Sequence, residues 1–186
     1  MKTPETRRNK RIYLTGFMGS GKSTIGPILA NTLGYDFIDI DKAIEQQTGK
    51  TVREIFKNPG EEYFRTMERA LIQELLKKEH MVISLGGGTI ADAVNFPLIR
   101  ASGILVYLKT APEHLFKRLH HKNDRPILVD IAGDRLSEEA LRLRIQELYA
   151  RREQFYDQAD IIISTDEQKV GITVDKIVKR LSGVLD

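Results

Sequence analysis

The sequence predicts a three-layer α/β fold, a parallel β-sheet with helices on both faces. Three observations predict it. The stretch Gly16-Phe17-Met18-Gly19-Ser20-Gly21-Lys22-Ser23-Thr24 meets the phosphate-loop pattern G-x-x-x-x-G-K-[ST] at every fixed position. It sits between a short apolar run, Arg11 to Thr15, and apolar residues at helical spacing, Ile25, Ile28, Leu29 and Leu33. Further on, strand-like runs keep alternating with helical patterns to the end of the chain, as a sheet built from β-α-β units requires.

The loop carries its own chemistry. Glycines let the backbone turn tightly and aim successive N–H groups at one point. Lys22 has the reach to meet the β- and γ-phosphates of a nucleotide, and the Ser23 hydroxyl suits Mg²⁺. A helix starting near Lys22 adds the positive end of its dipole beneath the anion. Pro27 lies past the first helical turn, so a slight local distortion is expected there.

A length of 186 residues suits one domain, residues 1–186, with neither linker nor internal repeat. The net charge of +3, from 29 basic and 26 acidic side chains, is too small to argue for nucleic acid. With no cysteine there is neither disulfide nor thiolate chemistry, which fits a reducing compartment. No apolar run approaches the length of a membrane span, and no signal-peptide core opens the chain. A cytoplasmic monomer working on small molecules, with neither nucleic acid nor membrane as partner, is the expectation. Residues 1–10 read as a flexible arm, and Arg7, Arg8, Lys10 and Arg11 as its solvated charges.

After Gly34, which stops the first helix, Tyr35 to Asp41 reads as a second strand ending in acid. A helix follows to Gln47 and closes at Thr48-Gly49; Val52 to Phe56 is a short helical turn. Asn58-Pro59-Gly60 breaks the chain before a long amphipathic helix, Glu61 to Lys78, with Phe64, Met67, Leu71 and Leu75 along one face. Met81 to Leu85 is a third strand, running into Gly86-Gly87-Gly88, and Phe96 to Ile99 a short helix. Ile104 to Leu108 is a fourth strand, and its exit, Thr110-Ala111-Pro112-Glu113, has a capping-box shape for a helix through His120. The polar stretch from about 122 to 135 reads as a mobile lid, of a length usually kept for function. Ser137 caps a helix through about Tyr156, Asp160 to Ser164 is a fifth strand, and Val170 to Leu181 a final helix.

In such sheets ligands collect at the carboxyl ends of the strands. That rule brings the phosphate loop, Asp39-Ile40-Asp41, the glycine run and the exit of the fourth strand to one rim. Asp39 and Asp41 point apart if the strand continues through them, one toward a metal near Ser23 and the other toward a second substrate. Alternatively they cap the following helix, a role that suits Asp41. Gly86-Gly87-Gly88 serves either unusual dihedrals or a close ligand. Among the arginines, Arg65, Arg118, Arg125 and Arg152 stand out, Arg125 because it precedes Pro126 within the lid. His80, His114, His120 and His121 read as structural or solvated.

Taken in order and spacing, these pieces resemble the shikimate kinase family along essentially the whole chain. The likeness runs through Gly19-Ser20-Gly21-Lys22-Ser23-Thr24, Phe37-Ile38-Asp39-Ile40-Asp41, Ala43 to Gly49, Gly60-Glu61-Glu62-Tyr63-Phe64-Arg65, Ser84 to Gly88, Arg125-Pro126 and Arg152 to Tyr156. The resemblance implies a P-loop NTPase fold of nucleoside-monophosphate-kinase type, with strand order 2-3-1-4-5. It implies transfer of the γ-phosphate of ATP to the 3-hydroxyl of shikimate, on the route to chorismate and the aromatic amino acids. It also implies roles. Asp41, Arg65, Gly87 and Arg152 hold shikimate. Gly19, Ser20, Gly21, Lys22, Ser23 and Thr24 hold the ATP phosphates. Ser23 and Asp39 serve Mg²⁺, Arg118 lies against adenine, and Lys22, Asp41 and Arg125 act in catalysis. Gln168 is a candidate backbone contact to the base. A longer stretch between Arg125 and Arg152 leaves Arg151 as the alternative carboxylate clamp.

Two rivals follow from shared features. Another small-molecule kinase of the same fold, for gluconate or a nucleoside monophosphate, differs only in its acceptor. A switch GTPase would use Asp130-Ile131-Ala132-Gly133, but no Asn-Lys-x-Asp segment accompanies it.

Overall fold

A computed structural model of the chain describes residues 11–120, 136–166 and 169–185. The expected arm, the lid with Arg125, the Asp130 to Gly133 stretch and Gln168 lie outside the described residues.

Five parallel strands form one sheet: β1 (Arg11–Thr15), β2 (Asp36–Asp39), β3 (Met81–Ser84), β4 (Ile104–Lys109) and β5 (Ile161–Ser164). Their order is β2-β3-β1-β4-β5, with Ile12 level with both Val82 and Ile104 in the central strands. The helices are α1 (Lys22–Leu33), α2 (Ile40–Thr48), α3 (Val52–Lys57), α4 (Glu61–Leu75), α5 (Asn95–Ser102), α6 (Pro112–Leu119), α7 (Glu138–Tyr156) and α8 (Val170–Leu185). No helix among the described residues is long and apolar enough to cross a membrane.

Period-two alternation divides the strands between two cores. Tyr13, Ile83, Leu105 and Tyr107 join side chains of α2 to α5 and Tyr156 of α7 on one face. Ile12, Leu14, Val82, Val106 and Leu108 join α1 and α8 on the other. Both faces are covered, so the central strands read as unbroken apolar runs. A third cluster, with Phe17, Leu119 and Ile145, seats α6 and α7 against the phosphate loop.

Several boundaries differ from the sequence reading. β2 ends at Asp39, and Asp39 rather than Asp41 caps the next helix, accepting from the Lys42 N–H. Asp41 therefore sits in the first turn of α2, not in a strand. Within α1 the helix runs unbroken through the exposed Pro27. Ile28, expected inside, is 43% exposed. Gly26 is buried in its place, because a Cβ there would lie 2.3 Å from the Phe37 ring. The capping box at Thr110 does not form: Ala111 is the N-cap. The Thr110 hydroxyl pairs with Thr165 Oγ1 at 2.7 Å, and the Ala111 N–H donates to Asp166 Oδ1 at 2.8 Å. Partners across the β4–β5 exit have displaced the local cap.

Arg11 is the largest correction. It is 8% exposed rather than solvated. Its guanidinium donates to the carbonyls of Leu75, the last residue of α4, of Leu76 and Lys78 just after it, and of Ser102 at the end of α5. One cation thus bonds carbonyls at two helix ends, where the helical ladder runs out of donors. Arg11→Met keeps the stem and strands those carbonyls. It is expected to cost about 2–4 kcal/mol. A thermal melt should fall by roughly 5–15 °C.

Candidate phosphotransfer site

The carboxyl ends of the strands open onto a cleft of about 1190 Å³. The phosphate loop forms its floor. Gly21 caps α1 at φ 103°, a left-handed conformation that a side chain would strain. Gly16 lies so close to β4 that a Cβ would be 2.7 Å from the Leu108 carbonyl oxygen. Lys22 folds back along the loop and donates to the carbonyls of Gly16 (2.7 Å) and Phe17 (3.2 Å). Its ammonium is therefore held against the first two residues of the loop.

Beside the loop, Asp39 Oδ2 accepts from Ser23 Oγ at 3.2 Å and from Ser84 Oγ at 3.0 Å. Register explains the second contact, since Asp39 pairs with Ser84 across β2 and β3. The oxygens of Ser23 and Asp39, both hard donors, converge at the head of α1. That set fits Mg²⁺, which takes few protein oxygens and keeps its waters.

The glycine run separates the two halves of the cleft. None of Gly86, Gly87 and Gly88 is among the positive-φ glycines. At each a polar side chain comes close: a Cβ at Gly86 or Gly88 would force a shift, and one at Gly87 would be tight. At Gly86 it would lie 2.5 Å from Asp41 Oδ1, at Gly87 3.1 Å from Arg152 Nη1, and at Gly88 2.5 Å from Arg65 Nη2. Close approach, not dihedral freedom, accounts for all three, and the run gathers Asp41, Arg65 and Arg152 around one strand exit.

The two arginines differ. Arg65 is ion-paired on its own helix: Nη1 donates to Glu68 Oε2 at 2.8 Å, and Nη2 to Glu61 Oε1 at 2.9 Å. Burial opposes its charge, but the Glu68 carboxylate and then Glu61 outweigh that and raise its pKa above the ordinary arginine value. Arg152 Nη1 is buried and has no hydrogen-bond partner among the described residues. Its guanidinium stands 5.6 Å from the centre of the Phe17 ring. Arg151 also lines the cleft but is exposed, so the geometry brings Arg152 to Gly87 and leaves Arg151 at the rim. Arg118 Nη1 donates to Gly19 O at 3.1 Å while Nη2 donates to Thr165 O, tying the phosphate loop to the exit of β5.

Sequence reasoning missed Glu68. It is fully buried, accepts from the Thr89 hydroxyl as well as Arg65, and lines the same cleft. A signal was available: Glu68 stands on the stripe of α4 that otherwise buries Phe64, Leu71, Ile72 and Leu75. An acid on an apolar stripe needs a fixed cationic partner, and Arg65 is three residues back.

A shikimate kinase family model matches residues 18–182. The chain belongs to the shikimate kinase family. A shikimate kinase of Chlorobium phaeovibrioides is 46% identical over 175 residues, covering 94% of this chain and 89% of the relative. A shikimate kinase from Acinetobacter baumannii, solved in complex with shikimate, is 34% identical, with a TM-score of 0.85 over 94% of this chain and 93% of that one. A gluconokinase from Sinorhizobium meliloti superposes with a TM-score of 0.58 at 20% identity, covering 96% of this chain and 95% of its own. That last likeness concerns the fold alone. The shikimate kinase family thus has in this member a sheet, a phosphate loop and a polar far wall meeting in one cleft.

Proposed function

We propose that the protein transfers the γ-phosphate of ATP to the 3-hydroxyl of shikimate, giving ADP and shikimate 3-phosphate for aromatic amino acid biosynthesis. One observation carries the reading: the cleft floored by Lys22 and Ser23 is walled by Asp41, Arg65 and Arg152. Shikimate is a carboxylate with three hydroxyls. Guanidinium forks match a carboxylate in parallel charge-assisted bonds, so Arg65 and Arg152 take that end. Asp41 and the Gly87 backbone take ring hydroxyls, and Asp41 orients the one that attacks.

On the nucleotide side, the N–H groups of Gly19 to Thr24 and the Lys22 ammonium cradle the phosphates. Arg118 and Gln168 serve the base, and Arg125 closes over the migrating group. Ser23 and Asp39 would hold Mg²⁺, which when bound offsets phosphate charge. A loose phosphoryl transfer asks for little early deprotonation, so Asp41 works by alignment. Most of the acceleration then comes from holding oxygen and phosphorus in line and neutralising the moving charge. The same reading has one domain acting as a cytoplasmic monomer, and light scattering tests the oligomeric part.

A coupled ADP-release assay tests the activity itself. ADP should appear with shikimate and ATP together, and only slowly with ATP alone. Preference for gluconate or a nucleoside monophosphate over shikimate would assign a different acceptor.

A further inference from the structure

We propose that Tyr156 is a positioning residue for the acid-clamping end of the cleft, its hydroxyl holding the Gly87 carbonyl beside Arg152. The inference rests on the reading of that end as the shikimate site.

Tyr156 ends α7 and is fully buried. Its ring stacks on Tyr107 of β4, centroids 4.7 Å apart and planes at 15°. Tyr149, two turns earlier on α7, meets the same ring edge to face. Packing on two sides leaves the phenol little freedom, so its hydroxyl is aimed. It donates to the Gly87 carbonyl at 3.3 Å.

Arg152 stands four residues before Tyr156, on the same helix face. α7 thus meets Gly87 twice, by a hydroxyl on its carbonyl and by a guanidinium whose Nη1 would lie 3.1 Å from a Cβ placed there. A planar trans peptide then sets the Gly88 N–H opposite to the pinned carbonyl. Burial pushes the Tyr156 phenol up to about 12, and Arg152 works in the other direction. The group stays a neutral donor throughout the pH range of an ordinary assay.

Packing alone does not require this hydroxyl. Phenylalanine would fill the same space and stack equally well on Tyr107. The neighbouring tyrosines illustrate the purely internal case: Tyr107 and Tyr149 join their hydroxyls at 2.9 Å, away from the glycine run. The Tyr156 hydroxyl instead reaches the cleft's own backbone.

Two variants separate positioning from stability. Tyr156→Phe removes the bond to Gly87, and Tyr149→Phe breaks a buried hydroxyl pair that does not touch it. For each, shikimate is varied at saturating ATP, ATP is varied at saturating shikimate, and the melting temperature is recorded. Tyr156→Phe should raise the KM for shikimate about five- to tenfold, as loss of one hydrogen bond would. Its KM for ATP should stay within about twofold, and its melting temperature should match that of Tyr149→Phe. Tyr149→Phe should lower the melt without moving the KM for shikimate. An unchanged KM for shikimate in Tyr156→Phe, or two KM values moving together with the melt, overturns the role. Wild-type protein inactive on shikimate removes the underlying reading as well, whereas an active wild type with an unaltered Tyr156→Phe removes only this inference.

Discussion

Lys22→Ala is expected to lower kcat by about 10²–10³-fold, the scale of losing a charged group aimed at a developing oxyanion. The melting temperature should stay within a few degrees of wild type. The Lys22 ammonium donates to the loop carbonyls of Gly16 and Phe17. Both bonds are only partly buried, so losing the donor costs about 1–2 kcal/mol, a shift of a few degrees. The fold therefore has a smaller stake in the residue than a transferring phosphoryl group has. Single-turnover rates with saturating ATP and shikimate, read beside a circular-dichroism melt, check both halves. Near-normal turnover would remove the loop from the chemistry.

Arg152→Leu should produce the second large effect, a KM for shikimate raised by about 10²-fold with the KM for ATP unchanged. Two charge-assisted bonds to a carboxylate are lost together, each of about 1.5–3 kcal/mol. The stability effect is small. Arg152 Nη1 is buried without a hydrogen-bond partner among the described residues, so the free protein carries a desolvated donor. Leucine removes that cost together with the guanidinium's contacts to Tyr156 and the Phe17 ring, so the melt should stay within a few degrees of wild type. Sites kept ready for an anion often trade stability for function in this way. Arg65 does not share the property, because Glu68 and Glu61 already hold it. Differential scanning calorimetry with and without shikimate checks the claim. A melt several degrees below wild type would mean that Arg152 is chiefly a structural cation.

The fold and the floor of the cleft were legible because their information is local. Nine consecutive residues make the phosphate loop, and their flanks carry the periods of a strand and a helix. The alternation of elements led to a parallel sheet, and the strand order implied by the family resemblance is the order found. Misreadings came where a distant partner outbid a local preference. Thr110 offered a cap and took Thr165 across the sheet instead. Arg11 looked like part of a solvated arm, yet four carbonyls from residues 75 to 102 draw it inside. Ile28 kept its helical spacing and still faced outward, because α1 presses Gly26 onto Phe37.

The sequence could establish which residue types stand next to one another, and so the loop, the elements and the family resemblance. It left open why three glycines follow β3, which of two adjacent arginines turns inward, and what Glu68 does on an apolar stripe. Those answers came from packing. Asp41, Arg65 and Arg152 sit on three different helices, and only when the sheet brings those helices together do their side chains crowd Gly86, Gly87 and Gly88. A contact between residues far apart in the chain depends on how whole elements pack, and periodicity along one element does not encode that.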